Sequence, residues 1–181
     1  MGYLELIIGP MYAGKSTELI RIINRYKCLN KNIIIVNHTL NNRYGSDGIT
    51  THNKEKVDNC ISVSKLSDIA QPLIDNCNVI IIEELQFFPD AYDNIIDWCD
   101  SKEKIVIAAG LDGDFLRNPF GDVLRLIPHA EKVTKLCALC KKCGDGTIAN
   151  FSKRTINNKE KTLIGSDDLY EAVCRKHYLE K

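Results

Sequence analysis

An excess of charge of either sign is missing from this sequence: Lys+Arg and Asp+Glu number 24 each among 181 residues, for a formal net charge of zero. A dedicated duplex-DNA binder draws affinity from phosphate neutralisation and carries a basic surplus. That class is disfavoured, and no nucleic-acid partner is expected. Long hydrophobic runs are missing too. Stretches such as Val79 to Ile82 fall far short of the roughly 20 apolar residues of a membrane helix, so no membrane partner is expected. Met1-Gly2-Tyr3-Leu4-Glu5 shows no basic segment ahead of a long apolar stretch and does not read as a secretory signal. Aromatics are only 7%, yet hydrophobic residues reach 44% and charged residues 27%, the balance of a soluble globular protein. A disordered chain is excluded, because it could not bury enough apolar surface to offset its ordering entropy. The expected location is cytoplasmic.

Cysteine is plentiful, with eight residues. In a reducing compartment these read as metal ligands or buried fillers rather than disulfides. Cys28, Cys60, Cys77 and Cys99 are scattered, whereas Cys137, Cys140, Cys143 and Cys174 crowd the last quarter.

Tyr3 to Ile8 is a short apolar run halted by Gly9-Pro10, as a buried strand would be. From Ser16 to about Lys27, Leu19, Ile20, Ile22 and Ile23 are spaced for one helical face. Asn32 to Asn37 reads as a second strand, and residues 38 to 60 as a long loop or excursion. Ser67 to Asn76 suggests a helix with Ser67 as N-cap. Val79 to Ile82 is a strand apolar on both faces, as central parallel strands are. A helix from Ala91 to Asp100, a strand from Lys104 to Ala109, a Gly-rich loop from Gly110 to Gly121 and a strand from Lys132 to Leu136 follow. Alternating strands and helices predict an α/β fold with a largely parallel sheet. Past residue 136 aliphatic runs become scarce and cysteine and lysine accumulate. The expected division is therefore 1–136 for the α/β unit and 137–181 for a small appendage.

Three constellations carry chemistry. Gly9-Pro10-Met11-Tyr12-Ala13-Gly14-Lys15-Ser16, followed by Thr17, matches the phosphate-binding loop G-x-x-x-x-G-K-[ST] between a strand and an amphipathic helix. Its backbone N–H groups would cradle phosphate oxygens at the helix N-terminus. Lys15 would reach the terminal phosphates and the Ser16 hydroxyl would ligate Mg²⁺. Next, Glu83-Glu84 closes the apolar strand, a costly place for carboxylates unless they meet a cation or a reacting group. Alternation along a strand sends the two apart, one to the metal and one to a substrate. Third, Cys137-x-x-Cys140 and Cys174-x-x-His177 can close a tetrahedral Zn²⁺ site from two knuckles, with Cys143 as a competing ligand. Four protein ligands make such a site structural, which suits a small segment with little core of its own. The charged stretch from Phe151 to Tyr170 between the knuckles reads as a loop that could close over substrate.

Taken together, Gly9 to Leu19, Asn42-Arg43-Tyr44, Thr51-His52, Glu84-Leu85-Gln86-Phe87-Phe88, Gly110 to Phe115, Pro119-Phe120-Gly121 and Cys174 to Tyr178 resemble the small, zinc-containing thymidine kinases of animals, bacteria and large DNA viruses. The resemblance spans nearly the whole chain. It implies a P-loop-type parallel sheet flanked by helices with a C-terminal zinc-binding lasso. It also implies phosphoryl transfer from ATP to the 5′-hydroxyl of thymidine. By that likeness Glu84 is the catalytic base, and Arg43 and Gln86 lie near the phosphates. Ser16 and Glu83 hold Mg²⁺, and Met11, Phe115 and Phe120 contact the nucleoside. Lys161, Thr162, Leu163, Ile164 and Gly165 form the lasso that binds the base through its main chain, with Tyr170 at its foot. A homotetramer and feedback inhibition by thymidine triphosphate are likewise implied. The sequence departs from the family's pattern at Glu83, where Asp is usual, and at Asn41, where an acidic residue is common. Three other readings stand beside this one: a zinc-containing ATPase acting on nucleic acid, a non-catalytic zinc module, and a kinase with another small-molecule acceptor.

Overall fold

The computed structural model describes residues 1–41, 48–50, 56–156 and 169–180. The chain opens with β1 (Tyr3–Ile8), the glycine turn, α1 (Lys15–Lys27) and β2 (Ile33–His38). An antiparallel ribbon of β3 (Gly48–Thr50) and β4 (Lys56–Asp58) precedes β5 (Ile61–Val63). Then come α2 (Gln71–Asn76), β6 (Val79–Ile82), α3 (Ala91–Ile96), β7 (Ile105–Gly110) and β8 (Lys132–Lys135). Six strands make one sheet in the order β5-β2-β6-β7-β1-β8, and every adjacent pair is parallel.

Side-chain alternation divides the core between two faces. Leu4, Leu6 and Ile8 of β1, Ile80 and Ile82 of β6, and Val106 and Ala108 of β7 face a layer that includes Ile74, Ala91, Ile95 and Trp98. Ile7, Val79, Ile81, Ile107 and Ala109 face α1 through Leu19, Ile20, Ile22 and Ile23. The helical face expected from the apolar spacing is thus the one that α1 buries. The α/β class and the central apolar strand also stand as expected.

Three elements differ from the sequence reading. Within 38–60 the chain holds the β3–β4 ribbon and the edge strand β5, each three residues long and too short to show a period. The helix expected from Ser67 is split into a 3₁₀ turn at Leu66–Asp68 and α2 from Gln71. Pro72 explains the restart: it lacks an N–H and is tolerated only in a first turn. Ser67 is no cap; the Asp90 carboxylate instead accepts the N–H groups of Leu66 and Ser67 at 3.0 and 2.9 Å. The third helix ends at Ile96 and runs on as a π turn over Asp97–Ser101, which buries Trp98 and Cys99.

Beyond β8 lie two ribbons, β9 (Ala138–Leu139) with β10 (Ile148–Ala149) and β11 (Phe151–Arg154) with β12 (Tyr170–Val173), then the short α4 (Arg175–Leu179). Their own buried cluster is Ala138, Cys140, Ala149, Ala172, Val173 and Cys174. Residues this small supply little transfer free energy, so the segment has to be held by other means.

His38, at the end of β2, is buried and packs on Phe87 and Phe88 at ring distances of 5.6 and 4.8 Å. Its Nδ1 accepts the Leu40 N–H at 3.0 Å, so Nε2 carries the proton and faces the Ser64 carbonyl at 3.2 Å. Burial lowers its pKa, outweighing the Ser64 carbonyl and the Glu84 carboxylate, which raise it. The unfolded chain therefore takes up this proton first. Stability is full above about pH 6.5, the unfolded value, and falls as the pH drops below it. Denaturant titrations between pH 7.5 and 5 should show a shallower decline in His38→Gln, by up to about 1.4 kcal/mol per pH unit; identical slopes would contradict the assignment.

Candidate active site and cysteine–histidine cluster

The turn after β1 is built for close approach. Gly9 has φ 148°, and a Cβ there would lie 2.4 Å from the Leu136 carbonyl oxygen, so only glycine fits. Gly14, at φ 82° and ψ 20°, is the N-cap of α1. Together they wrap residues 9–14 around the N-terminus of a 13-residue helix, where free N–H groups and the helix dipole favour anions. The Lys15 ammonium donates to the Pro10 carbonyl at 2.7 Å and so lies back over the turn.

From the next helical position the Ser16 hydroxyl donates to Glu83 Oε1 at 2.5 Å. This contact joins the start of α1 to the end of β6, with β7 lying between β6 and β1 in the sheet. Glu83 is buried. Glu84 turns away, as expected, although alternation is not the whole cause. The strand ends at Ile82, and Glu84 adopts the left-handed conformation, φ 56° and ψ 42°. A non-glycine residue there costs roughly 1–2 kcal/mol, strain of the kind that collects at functional sites.

The Gln86 amide donates to Glu84 Oε2 at 2.6 Å, while its Oε1 accepts the Leu111 N–H at 2.9 Å. Gln86 was expected near the phosphates; its buried side chain lies between Glu84 and the Gly110–Gly121 loop. Gly121, at φ 58°, permits this packing, since a Cβ there would lie 2.5 Å from the Gln86 carbonyl oxygen. Within the loop, Asp114 was not singled out from sequence. It is buried, and its Oδ1 accepts the N–H groups of Leu116 and Asn118, each at 2.9 Å. A carboxylate in a Gly-rich stretch, poised to accept backbone N–H groups two residues on, was the available signal.

Met11, Phe115 and Tyr170, expected around a nucleoside, lie where the glycine turn, the loop and the C-terminal ribbons meet. The Met11 N–H donates to Ser152 Oγ at 3.0 Å, the Tyr12 hydroxyl to the Tyr170 carbonyl at 3.2 Å, and the Tyr178 hydroxyl to the Phe115 carbonyl at 2.8 Å. Ala13 packs against the C-terminal cluster. Phe120 sits edge-on to Phe87 at 5.7 Å. Thr17 occupies the exposed side of the first turn of α1. Arg43 and Lys161, Thr162, Leu163, Ile164 and Gly165 lie outside the described residues.

In the C-terminal unit the expected ligand set is corrected at one position. Cys140, Cys143, Cys174 and His177 bring their ligand atoms within 4.8 Å of one another; Cys137 is exposed and apart from them. Residues 137–140 are extended, with Ala138 and Cys140 buried and Cys137 and Leu139 exposed. Alternation therefore sends the thiols of Cys137 and Cys140 to opposite faces. Between Cys140 and Cys143 the chain turns instead, and the Gly144 N–H closes on the Cys140 carbonyl at 3.1 Å. Burial opposes ionisation of Cys140, but the Cys174 and Cys143 backbone N–H groups and the His177 ring draw its thiol down to about 6. Three thiols and an imidazole in this space form a ligand set suited to tetrahedral Zn²⁺.

A family model described as thymidine kinase matches residues 2–178. The thymidine kinase of monkeypox virus is 44% identical over 182 residues, covering 99% of this chain and 98% of that protein. That of vaccinia virus (strain Western Reserve) is 43% identical with the same coverage. The thymidine kinase of variola virus (isolate Human/India/Ind3/1967) is likewise 43% identical over 99% of this chain.

The regrouped cysteines give a direct test by metal analysis of purified protein. Cys143→Ala should lose the bound zinc, and Cys137→Ala should keep it at the wild-type stoichiometry. The reverse pattern would restore the ligand set first read from the sequence.

Proposed function

The chain belongs to the thymidine kinase family, and from that premise we propose how its site works: it transfers the γ-phosphoryl group of ATP to the 5′-hydroxyl of thymidine, giving thymidine monophosphate for DNA synthesis. The observation that carries this reading is the pairing of Ser16 with Glu83 while Glu84, the adjoining residue, is directed elsewhere.

The N–H groups at the start of α1 hold the phosphates of ATP. Lys15 moves its ammonium from the Pro10 carbonyl to the transferring phosphoryl group and stabilises the charge that develops there. Ser16 Oγ and the Glu83 carboxylate are hard oxygen donors in contact, a set that fits Mg²⁺. When bound, that ion neutralises charge on the β- and γ-phosphate oxygens. Glu83 reaches one methylene further than the family's usual Asp and still meets Ser16.

Glu84 accepts the proton of the 5′-hydroxyl, and for this it must come within hydrogen-bond reach of that oxygen. Gln86, donating to Oε2, fixes the carboxylate and leaves Oε1 for the proton. Met11, Phe115, Phe120 and Tyr170 wall the nucleoside, Lys161 to Gly165 close over the base, and Arg43 meets the phosphates. Residues 1–136 form the kinase unit and 137–181 the lasso unit, held by structural zinc on Cys140, Cys143, Cys174 and His177. The family's homotetramer, feedback inhibition by thymidine triphosphate and cytoplasmic location complete the reading. Among the described residues no helix is long and apolar enough to cross a membrane.

Purified protein given γ-labelled ATP and a panel of nucleosides, with single-stranded DNA as a further arm, tests the reading. Label should pass to thymidine, and Lys15→Ala should reduce that transfer on the order of a thousandfold. ATP hydrolysis stimulated by DNA, with no labelled nucleotide formed, would favour a nucleic-acid-dependent ATPase instead.

A further inference from the structure

Arg154 is the one arginine buried among the described residues, at 8% exposure, and the mechanism above does not use it. It ends β11, directly across the ribbon from Tyr170. Its guanidinium carbon stands 3.7 Å from the centre of the Phe115 ring and 5.2 Å from that of Tyr170. One of its terminal nitrogens, Nη2, donates to the Tyr170 hydroxyl at 2.6 Å.

A cation is an expensive way to fill this space. Removing a guanidinium from water costs several kcal/mol unless close partners compensate, and an apolar residue would pack the ribbon without that cost. A flat cation, however, can do what an apolar side chain cannot. Its face stacks on one aromatic ring while its edge donates to a second. The two aromatics it engages come from different parts of the chain, Phe115 from the Gly110–Gly121 loop and Tyr170 from the foot of the lasso.

Among the described residues, a second stacked arginine, which also lies 5.7 Å from the Phe151 ring centre, and a hydrogen bond further link these parts. Arg117 lies 4.6 Å from the Tyr178 ring centre, and the Tyr178 hydroxyl holds the Phe115 carbonyl at 2.8 Å. Arg117 is exposed and its contact lies at the rim. Among the described residues of the C-terminal unit, it is Arg154 that stacks on the Phe115 ring.

We propose that Arg154 is a positioning residue for nucleoside binding, which sets the Phe115 and Tyr170 rings at a fixed separation through a stacked, hydrogen-bonded guanidinium. This rests on the nucleoside wall proposed above. It goes further, in giving the spacing of that wall a single cause. The guanidinium acts through the two rings of the proposed nucleoside wall, Phe115 and Tyr170. Its loss therefore weakens thymidine binding and leaves the chemistry of bound substrate largely intact.

The test is steady-state kinetics of Arg154→Lys, Arg154→Gln and Tyr170→Phe, with bound zinc measured for each protein. Arg154→Lys keeps the charge but can neither stack a plane nor donate from its edge at the same time. The expected result is a rise in the thymidine KM of about tenfold or more in Arg154→Lys, with kcat within about threefold and the ATP KM unchanged, as for lost binding rather than lost transition-state stabilisation. Arg154→Lys combined with Tyr170→Phe should be little worse than the poorer single variant, since both break one contact.

An unchanged thymidine KM in Arg154→Lys would overturn the proposal, as would fully additive effects in the double variant. Loss of zinc or of the folded state in both Arg154→Lys and Arg154→Gln would assign the guanidinium to folding and overturn it too. Each of these leaves wild-type thymidine phosphorylation in place. Failure of the function itself would appear in the wild-type protein first.

Discussion

The contact between Ser16 and Glu83 is the interaction on which the arrangement of the site depends. It can form only where a phosphate-binding turn and the end of a central strand are brought level by the sheet. Strand β6 is four residues of Val and Ile, fully buried on both faces, so no charge can appear before Ile82 without a large desolvation cost. The first carboxylate allowed is Glu83, and the sheet order sets it beside the start of α1. The left-handed turn at Glu84 then releases the second carboxylate into a different environment, where Gln86 holds it. The left-handed conformation at Glu84 thus gives two adjacent residues of one type two different surroundings.

A different economy governs the C-terminal unit. Its buried residues are mostly alanine and cysteine, and such a core contributes little. Cys140, Cys143, Cys174 and His177 form a cluster that could hold a metal ion, and metal-binding free energy acts as folding free energy in small domains of this kind. The unit is not merely appended. It meets the glycine turn through Ser152 and Tyr170, and it meets the Gly110–Gly121 loop through Arg154, stacked on Phe115, and Tyr178. The cysteine–histidine unit is thereby tied to Met11, Tyr12 and Phe115.

Much of this was legible in the chain because the signals were local. The glycine turn with its flanking strand and helix, the apolar stripe of α1, the two-sided strand β6 and the position of Glu83 and Glu84 each follow from a pattern shorter than twenty residues. The missed features depend on contacts between distant residues or on geometry that spacing does not encode. Two C-x-x-C spacings overlap at Cys140, and only the extended backbone of 137–140 against the turn at 141–143 selects Cys143 over Cys137. Pro72 marks locally where the helix expected at Ser67 restarts, but the 3₁₀ turn before it is held by Asp90, 24 residues from Leu66. Gln86, Asp114 and Arg154 are polar side chains whose roles arise from what lies across the fold, from Leu111, the loop backbone and the two aromatic rings respectively.

The division of labour between the two glutamates is the central claim, and a Mg²⁺ titration of Glu84→Gln, Glu83→Asp and Glu83→Ala with thymidine saturating tests it most directly. Glu84→Gln keeps the size of the side chain and removes the proton acceptor, so kcat should fall by about 10² to 10⁴ at every Mg²⁺ concentration. Glu83→Asp should remain active, and Glu83→Ala should need far more Mg²⁺ to turn over. If Glu84→Gln works at near the wild-type rate, or is restored by added Mg²⁺, the two carboxylates do not have the separate roles assigned to them.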